Sequence, residues 1–262
     1  MDNRAIGVFD SGLGGLTAVS FLRRLLPNEN IVYLADTARV PYGDKSREEL
    51  LKCADDDISF LLSKNVKLVL IACGTVSSTL TAEQMESYGV KVIGVLSPAA
   101  KAAVEQTKNK KIGVIATAAS IKSGAYKAKM LEKDGECEVF PVPCPKLVPL
   151  IEGGKTEGDE VKAALNEYLA PLKQNAVDTL VLGCTHYPLL KKEISFILPN
   201  AALVDVGEKA AVEAKQYLEA NGMLSESGGR CEFFASGDCE DFCGKASRFL
   251  GREIEKVYTA KL

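Results

Sequence analysis

Two cysteines stand out by position. Leu68-Val69-Leu70-Ile71-Ala72 runs into Cys73-Gly74-Thr75, and Thr179-Leu180-Val181-Leu182-Gly183 runs into Cys184-Thr185-His186. Each apolar run is short and rich in Val and Leu, as in a strand of a parallel sheet buried on both faces. Each cysteine then falls between a strand end and a helix start, the edge where open α/β folds place ligands. Positive partial charge at a helix N-terminus lowers a thiol's pKa, and an unperturbed thiol near ~8.5 needs only a small shift to work near neutral pH. The chemistry suggested is proton transfer by two thiols. His186, the single histidine of the chain, lies two residues past Cys184 and can serve as its proton partner. Asp10 reads equally as a turn residue before Ser11-Gly12.

The surrounding elements must position these groups. A first strand, Ala5–Phe9, leads through the turn Asp10–Gly15 into a helix with Leu16, Val19, Leu22 and Leu26 inward. A dinucleotide fingerprint would need glycine at Thr17, so the turn is read as Ser11 and backbone N–H groups suited to a small anion. Ile31–Leu34 is a second strand, opening into the irregular loop Asp36–Gly43, whose side chains can reach a ligand. Ser46 and Glu49 form a capping box for a helix to about Lys64. Val90–Val95 is a strand stopped by Ser97-Pro98, and Pro188 opens a helix after the second cysteine. The segment Glu152–Thr156 resembles the end of a phosphate loop, but Pro149 stands where its leading glycine belongs.

From Lys111 the pattern restarts. Ile112–Thr117 echoes Ile6–Ser11, Glu138–Phe140 echoes the second strand, and Asp159 starts a helix carrying Val161, Leu165, Leu169 and Leu172. Strands alternating with helices at near-constant offsets predict an α/β chain of two pseudo-symmetric domains, each a parallel sheet flanked by helices. The division expected is 1–97 plus 208–262 for the Cys73 side and 98–207 for the Cys184 side, with the active site in the cleft between them. A helix from about Gly207 to Gly222, a strand Cys231–Ala235 and a helix Asp238–Leu250 return to the first half.

Composition narrows the function. The 262 residues are 47% apolar and 26% charged, with a net charge of -3, which disfavours nucleic acid and anionic membrane as partners. No stretch approaches the ~20 apolar residues of a membrane span, and no secretory leader is evident, so a cytoplasmic protein is expected. Its eight cysteines then stand in a reducing compartment. Cys53, Cys137, Cys144, Cys231, Cys239 and Cys243 read as packing, and their spacing beside one histidine does not suit zinc.

Phe9-Asp10-Ser11-Gly12-Leu13-Gly14-Gly15-Leu16, Asp36–Gly43, Ala72-Cys73 and Gly183–Leu190 together resemble the glutamate racemases of the aspartate/glutamate racemase superfamily, in the right order over almost the whole chain. The resemblance implies cofactor-independent interconversion of L- and D-glutamate, the latter a precursor of peptidoglycan. It makes Cys73 and Cys184 the acid and base on opposite faces of a planar carbanion, with Asp10 assisting Cys73 and His186, with Glu152, assisting Cys184. Asp10, Ser11, Tyr42, Gly43, Gly74, Thr75, Thr185 and His186 would bind substrate, with Thr117 and Ser120 adding contacts. No cofactor or metal is implied, and a homodimer is left open. The family's usual asparagine after the first cysteine is Gly74 here, which predicts a missing substrate contact or a looser site. Three rivals remain: an aspartate or other amino-acid racemase of the same superfamily, a binding or regulatory protein on the same fold, and a thiol-redox protein joining Cys73 to Cys184.

Overall fold

The computed structural model describes residues 1–226 and 228–262. Ten strands are described: β1 (Ile6–Asp10), β2 (Ile31–Ala35), β3 (Leu68–Ile71), β4 (Lys91–Gly94), β5 (Lys111–Ala116), β6 (Glu138–Pro143), β7 (Thr179–Leu182), β8 (Ala202–Asp205), β9 (Cys231–Ala235) and β10 (Val257–Thr259). They form two sheets, ordered β10-β9-β2-β1-β3-β4 and β6-β5-β7-β8, and every described pairing is parallel. The central strands β1, β3 and β7 are buried at every residue, the burial that continuous Val/Leu/Ile runs require. In both sheets a cysteine-bearing strand lies beside the strand that opens its half: β3 beside β1, and β7 beside β5.

The C-terminal part returns to the first sheet. Strand β9 pairs with β2, and the helix Val206–Ala220 packs against the helix Leu16–Leu25. The helix Leu96–Gln106 touches both Val206–Ala220 and the second sheet's β7 and β8, so one apolar core runs continuously behind the two sheets. The residue numbers 97/98 and 207/208 both fall in the first turns of these two helices.

Local chemistry accounts for most element ends. The helix Arg47–Ser63 begins at the capping box: Glu49 N–H donates to Ser46 Oγ at 3.3 Å, and Ser46 N–H to Glu49 Oε2 at 2.8 Å. Such a cap contributes roughly 1 kcal/mol. Ser97-Pro98, expected to stop a strand, instead lies in the first turn of Leu96–Gln106, where proline has no hydrogen bond to lose. Pro188 lies in a single 3-10 turn, Tyr187–Leu190, before the helix Lys191–Ile197. Among the described residues no helix is long and apolar enough to cross a membrane, and no group of three or more His, Cys, Asp or Glu could hold a metal ion.

Candidate active site between the sheets

A cavity of about 380 Å³ opens at the carboxyl edges of both sheets. It is lined from the first sheet by Asp10, Ser11, Tyr42, Gly43, Cys73, Gly74 and Thr75, and from the second by Thr117, Glu152, Cys184, Thr185 and His186. The two thiols therefore share one space, and both are free.

On the first wall, Cys73 sits two residues past β3 and caps the short helix Gly74–Ser77. Its Sγ lies 3.9 Å from Ser11 Oγ. The helix end was expected to lower its pKa, and the structure reverses that expectation. Burial, then the charge of Asp10, push the Cys73 thiol up to about 12, outweighing its hydrogen bonds to the Val76 backbone and Ser11. A four-residue helix supplies too little dipole to compensate. Asp10, 2% exposed, is itself raised, mainly by burial. Its carboxylate accepts from Gly12 N–H at 2.8 Å and, across the cleft, from Thr185 Oγ at 3.1 Å. The glycine-rich turn thus spends a backbone donor on Asp10 rather than on an external anion. Gly14 serves close approach instead: a Cβ there would lie 2.3 Å from Thr185 Oγ and 2.6 Å from His186 Nδ1.

On the second wall, Cys184 Sγ lies 3.6 Å from His186 Nδ1, and His186 Nε2 lies 3.1 Å from Glu152 Oε1. Burial opposes a charged imidazole, but hydrogen bonds to Cys184 and Glu152 win and raise His186 to about 10. The hydrogen bond to His186, opposed by burial, holds Glu152 below the usual carboxylate range. A protonated imidazole between a sulfur and a carboxylate is suited to balancing a thiolate.

Other expected residues divide. Thr75 Oγ and Thr117 Oγ meet at 3.1 Å across the cleft, and both line the cavity. Ser120 does not line it; its hydroxyl sits behind, 3.0 Å from Thr117 Oγ and 3.4 Å from Ser78 Oγ. Tyr42 lines the cavity, yet its hydroxyl is turned away, donating to Asp36 and, at 3.1 Å, to Asp57. Arg39 joins the same carboxylates, and Ser236 Oγ donates to Asp36 at 2.6 Å. This buried cluster ties the 36–44 loop to the end of β9. Gly74 is where the halves touch, so the wall is tighter there, contrary to the looser site expected: a Cβ would lie 2.4 Å from the Gly183 carbonyl oxygen.

Sequence reasoning passed over Cys144, Val148 and Pro149, which also line the cavity. Val148 and Pro149 precede Glu152 by four and three residues on the helix Leu147–Glu152, a spacing that places them on its face. Cys144, read as packing, has a buried thiol 3.5 Å from Val142 O.

Comparison with known proteins agrees with this geometry. Residues 20–214 match the family model described as Asp/Glu/Hydantoin racemase. The glutamate racemase of Carboxydothermus hydrogenoformans is 42% identical over 252 residues, covering 96% of this chain and 94% of that protein. Among solved structures, glutamate racemase isoform RacE1 of Bacillus anthracis aligns with a TM-score of 0.95 at 35% identity, covering 100% of this chain and 99% of that one. Glutamate racemase of Francisella tularensis in complex with D-glutamate aligns with a TM-score of 0.93 at 35% identity, covering 100% and 98%. Sequence, fold and the double-thiol cavity converge, and the chain belongs to the Asp/Glu/hydantoin racemase family of isomerases.

Proposed function

We propose that this protein is a cofactor-independent glutamate racemase in which Cys73 and Cys184 are the two acid–base groups. The observation that carries the reading is one cavity lined by two free thiols, each delivered by the equivalent strand of a different sheet. Inverting an α-carbon requires a base on one face and an acid on the other. At rest Cys73 holds its proton, since its thiol is pushed up to about 12. On the other wall a protonated His186 stands 3.6 Å from the Cys184 sulfur, and Cys184 takes the role of base. For the enantiomer whose α-hydrogen faces Cys184, that thiolate removes the proton and the Cys73 thiol donates to the opposite face. The reverse reaction exchanges the roles.

Ser11, Thr75, Thr117, Thr185 and backbone N–H groups, those of Tyr42, Gly43 and Gly74 included, hold the substrate's charged groups and stabilise the enediolate charge that develops between the thiols. Asp10 assists on the Cys73 side, and His186 with Glu152 on the Cys184 side. The lobes are taken as 1–97 plus 208–262 and 98–207, closing on the substrate to exclude water. The D-glutamate produced would serve peptidoglycan synthesis in the cytoplasm. Relatives named glutamate racemase over nearly the full chain, and a similar structure holding D-glutamate, support glutamate as substrate.

The test is incubation with L-glutamate in D₂O without added cofactor, following the α-proton signal and optical rotation, with both aspartate enantiomers and the Cys73→Ala and Cys184→Ala variants alongside. Deuterium incorporation with racemisation of glutamate, lost in both variants, is expected. Turnover of aspartate alone would replace the substrate and keep the mechanism. No exchange with either by folded, reduced protein would overturn the assignment.

A further inference from the structure

Gly74 follows one thiol residue, and Gly183 precedes the other. Their backbones meet. A Cβ at residue 74 would stand 2.4 Å from Gly183 O and 3.9 Å from Cys184 Cα, so the chain segments carrying the two thiols are in direct contact through the absence of a side chain. We infer that Gly74 is a positioning residue that sets how closely the Cys184 lobe closes on Cys73, and that any side chain there wedges the cleft open.

Neither partner can yield locally. Gly183 N–H is held by Ile115 O at 2.7 Å, and Gly183 O lies 3.4 Å from the Tyr126 hydroxyl. The free side of Gly183 is already filled, since a Cβ there would meet Ile115 O at 2.8 Å and Ala116 Cβ at 2.9 Å. Across the contact, Gly74 O accepts from Ser78 N–H at 3.0 Å, and Cys73 O accepts from Ser77 N–H at 2.9 Å, which fixes the turn that follows the first thiol. Relief must come from moving one lobe against the other, pivoting on the core behind the sheets. Relaxing 2.4 Å to an ordinary contact displaces the Cys184 segment by about 1 Å, a misplacement that costs on the order of 100-fold in rate.

The same movement would stretch bonds that cross the cleft nearby: Thr185 Oγ to Asp10 at 3.1 Å, Thr17 Oγ to Thr185 O at 3.2 Å, and Thr75 Oγ to Thr117 Oγ at 3.1 Å. The closed arrangement is therefore bonded on both sides of the glycine contact. The family's usual asparagine at this position would supply an amide, but here it would also supply the Cβ that does not fit. Gly74 consequently marks a different way of building the wall: the backbones close up, and hydroxyls bridge the lobes.

This inference rests on the two-thiol reading, and its test separates the two. Gly74→Ala and Gly74→Asn are compared with wild type and with Gly244→Ala, whose added methyl meets nothing within 4 Å. Racemisation of glutamate is measured as kcat and KM. Independently of any substrate, iodoacetamide labelling of each cysteine is followed by mass spectrometry. Both Gly74 variants are expected to lose about 100-fold in kcat, and to label several-fold faster at Cys73 and Cys184 but not at the five cysteines outside the cavity. Gly244→Ala is expected to match wild type in both measurements. A gain in activity for Gly74→Asn would mean that the missing amide, not the close contact, is what matters, and would overturn the inference. So would unchanged labelling in both variants, or labelling that rises uniformly at all eight cysteines, which would make the contact a requirement of the fold rather than of closure. Selective labelling in a protein that racemises nothing would leave the wedge standing and remove the proposed activity.

Discussion

The two walls of the cleft are built alike and charged differently. Each presents a cysteine just past a buried parallel strand, followed by a threonine. On one wall burial, joined by the charge of Asp10, keeps Cys73 protonated. On the other, His186 stands 3.6 Å from the sulfur with Glu152 behind it, so positive charge faces Cys184. Equivalent strand ends supply two thiols; in the proposed mechanism the residues beside them decide which starts as acid and which as base. In the proposed reaction the proton and the charge exchange walls with direction, so both arrangements must be reachable.

Removing either thiol has the largest expected effect. Cys73→Ser and Cys184→Ser should each lower racemisation by about 1000-fold or more, because an alcohol neither ionises nor accepts a proton readily near neutral pH. The comparison is sharpened by following deuterium exchange without inversion. Each variant should wash out the α-hydrogen of one enantiomer only, and the two variants should choose opposite enantiomers. Exchange of the same enantiomer in both would break the assignment of one thiol to each face.

His186→Asn should follow, with a loss of about 100-fold. The two enantiomers have equal free energy in water, so kcat/KM must fall equally in both directions whichever wall is damaged. The asymmetry must be read from the thiols themselves. Iodoacetamide labelling at pH 7 should slow at Cys184 in this variant and stay unchanged at Cys73. Asp10→Asn should act on the opposite wall and more gently. Removing that charge lowers the Cys73 pKa from about 12, while burial, the larger cause, still holds it above the ordinary value. Labelling of Cys73 at pH 9 should therefore quicken; slower labelling would place Asp10 in another role.

Sequence and structure part company at identifiable places. The alternation of buried runs with helices was readable because parallel strands buried on both faces need continuous apolar stretches, and the two strand-end cysteines followed directly. Strand β10, Val257–Thr259, was not readable: three residues carry no period, and two of them are exposed. No local pattern marks Lys67, which is buried, 2.7 Å from Glu29 and bonded to the carbonyls of Asp2 and Met223 at 2.6 Å, partners far away in sequence. Tyr42 could be placed at the cavity by its loop, yet the direction of its hydroxyl depends on Asp57 from a helix fifteen residues on. Burial and the charge of Asp36 push Asp57 well above the usual carboxylate range, and no local pattern announces that. The environment of Cys73 was missed for the same reason: a strand end can be read locally, whereas the field at its sulfur includes the charge of Asp10 from another strand.

The smallest expected effect separates the walls by stability rather than by rate. His186 is raised from 6.5 to about 10 in the folded protein, so folding favours its protonated form. Below pH 6.5 the residue is protonated in both folded and unfolded chains, and its stabilising contribution is fully present. As pH rises from 6.5 towards 10, the unfolded chain gives up this proton first, and the contribution is progressively lost. The melting temperature of wild type minus that of His186→Asn should therefore be greatest at pH 6 and shrink steadily to pH 10. Cys73, whose thiol is raised to about 12 in the folded protein, titrates alike in both proteins and so cancels from this difference. A difference that grew with pH would show that His186 is held neutral, and the charge asymmetry between the walls would have to be redrawn around another group.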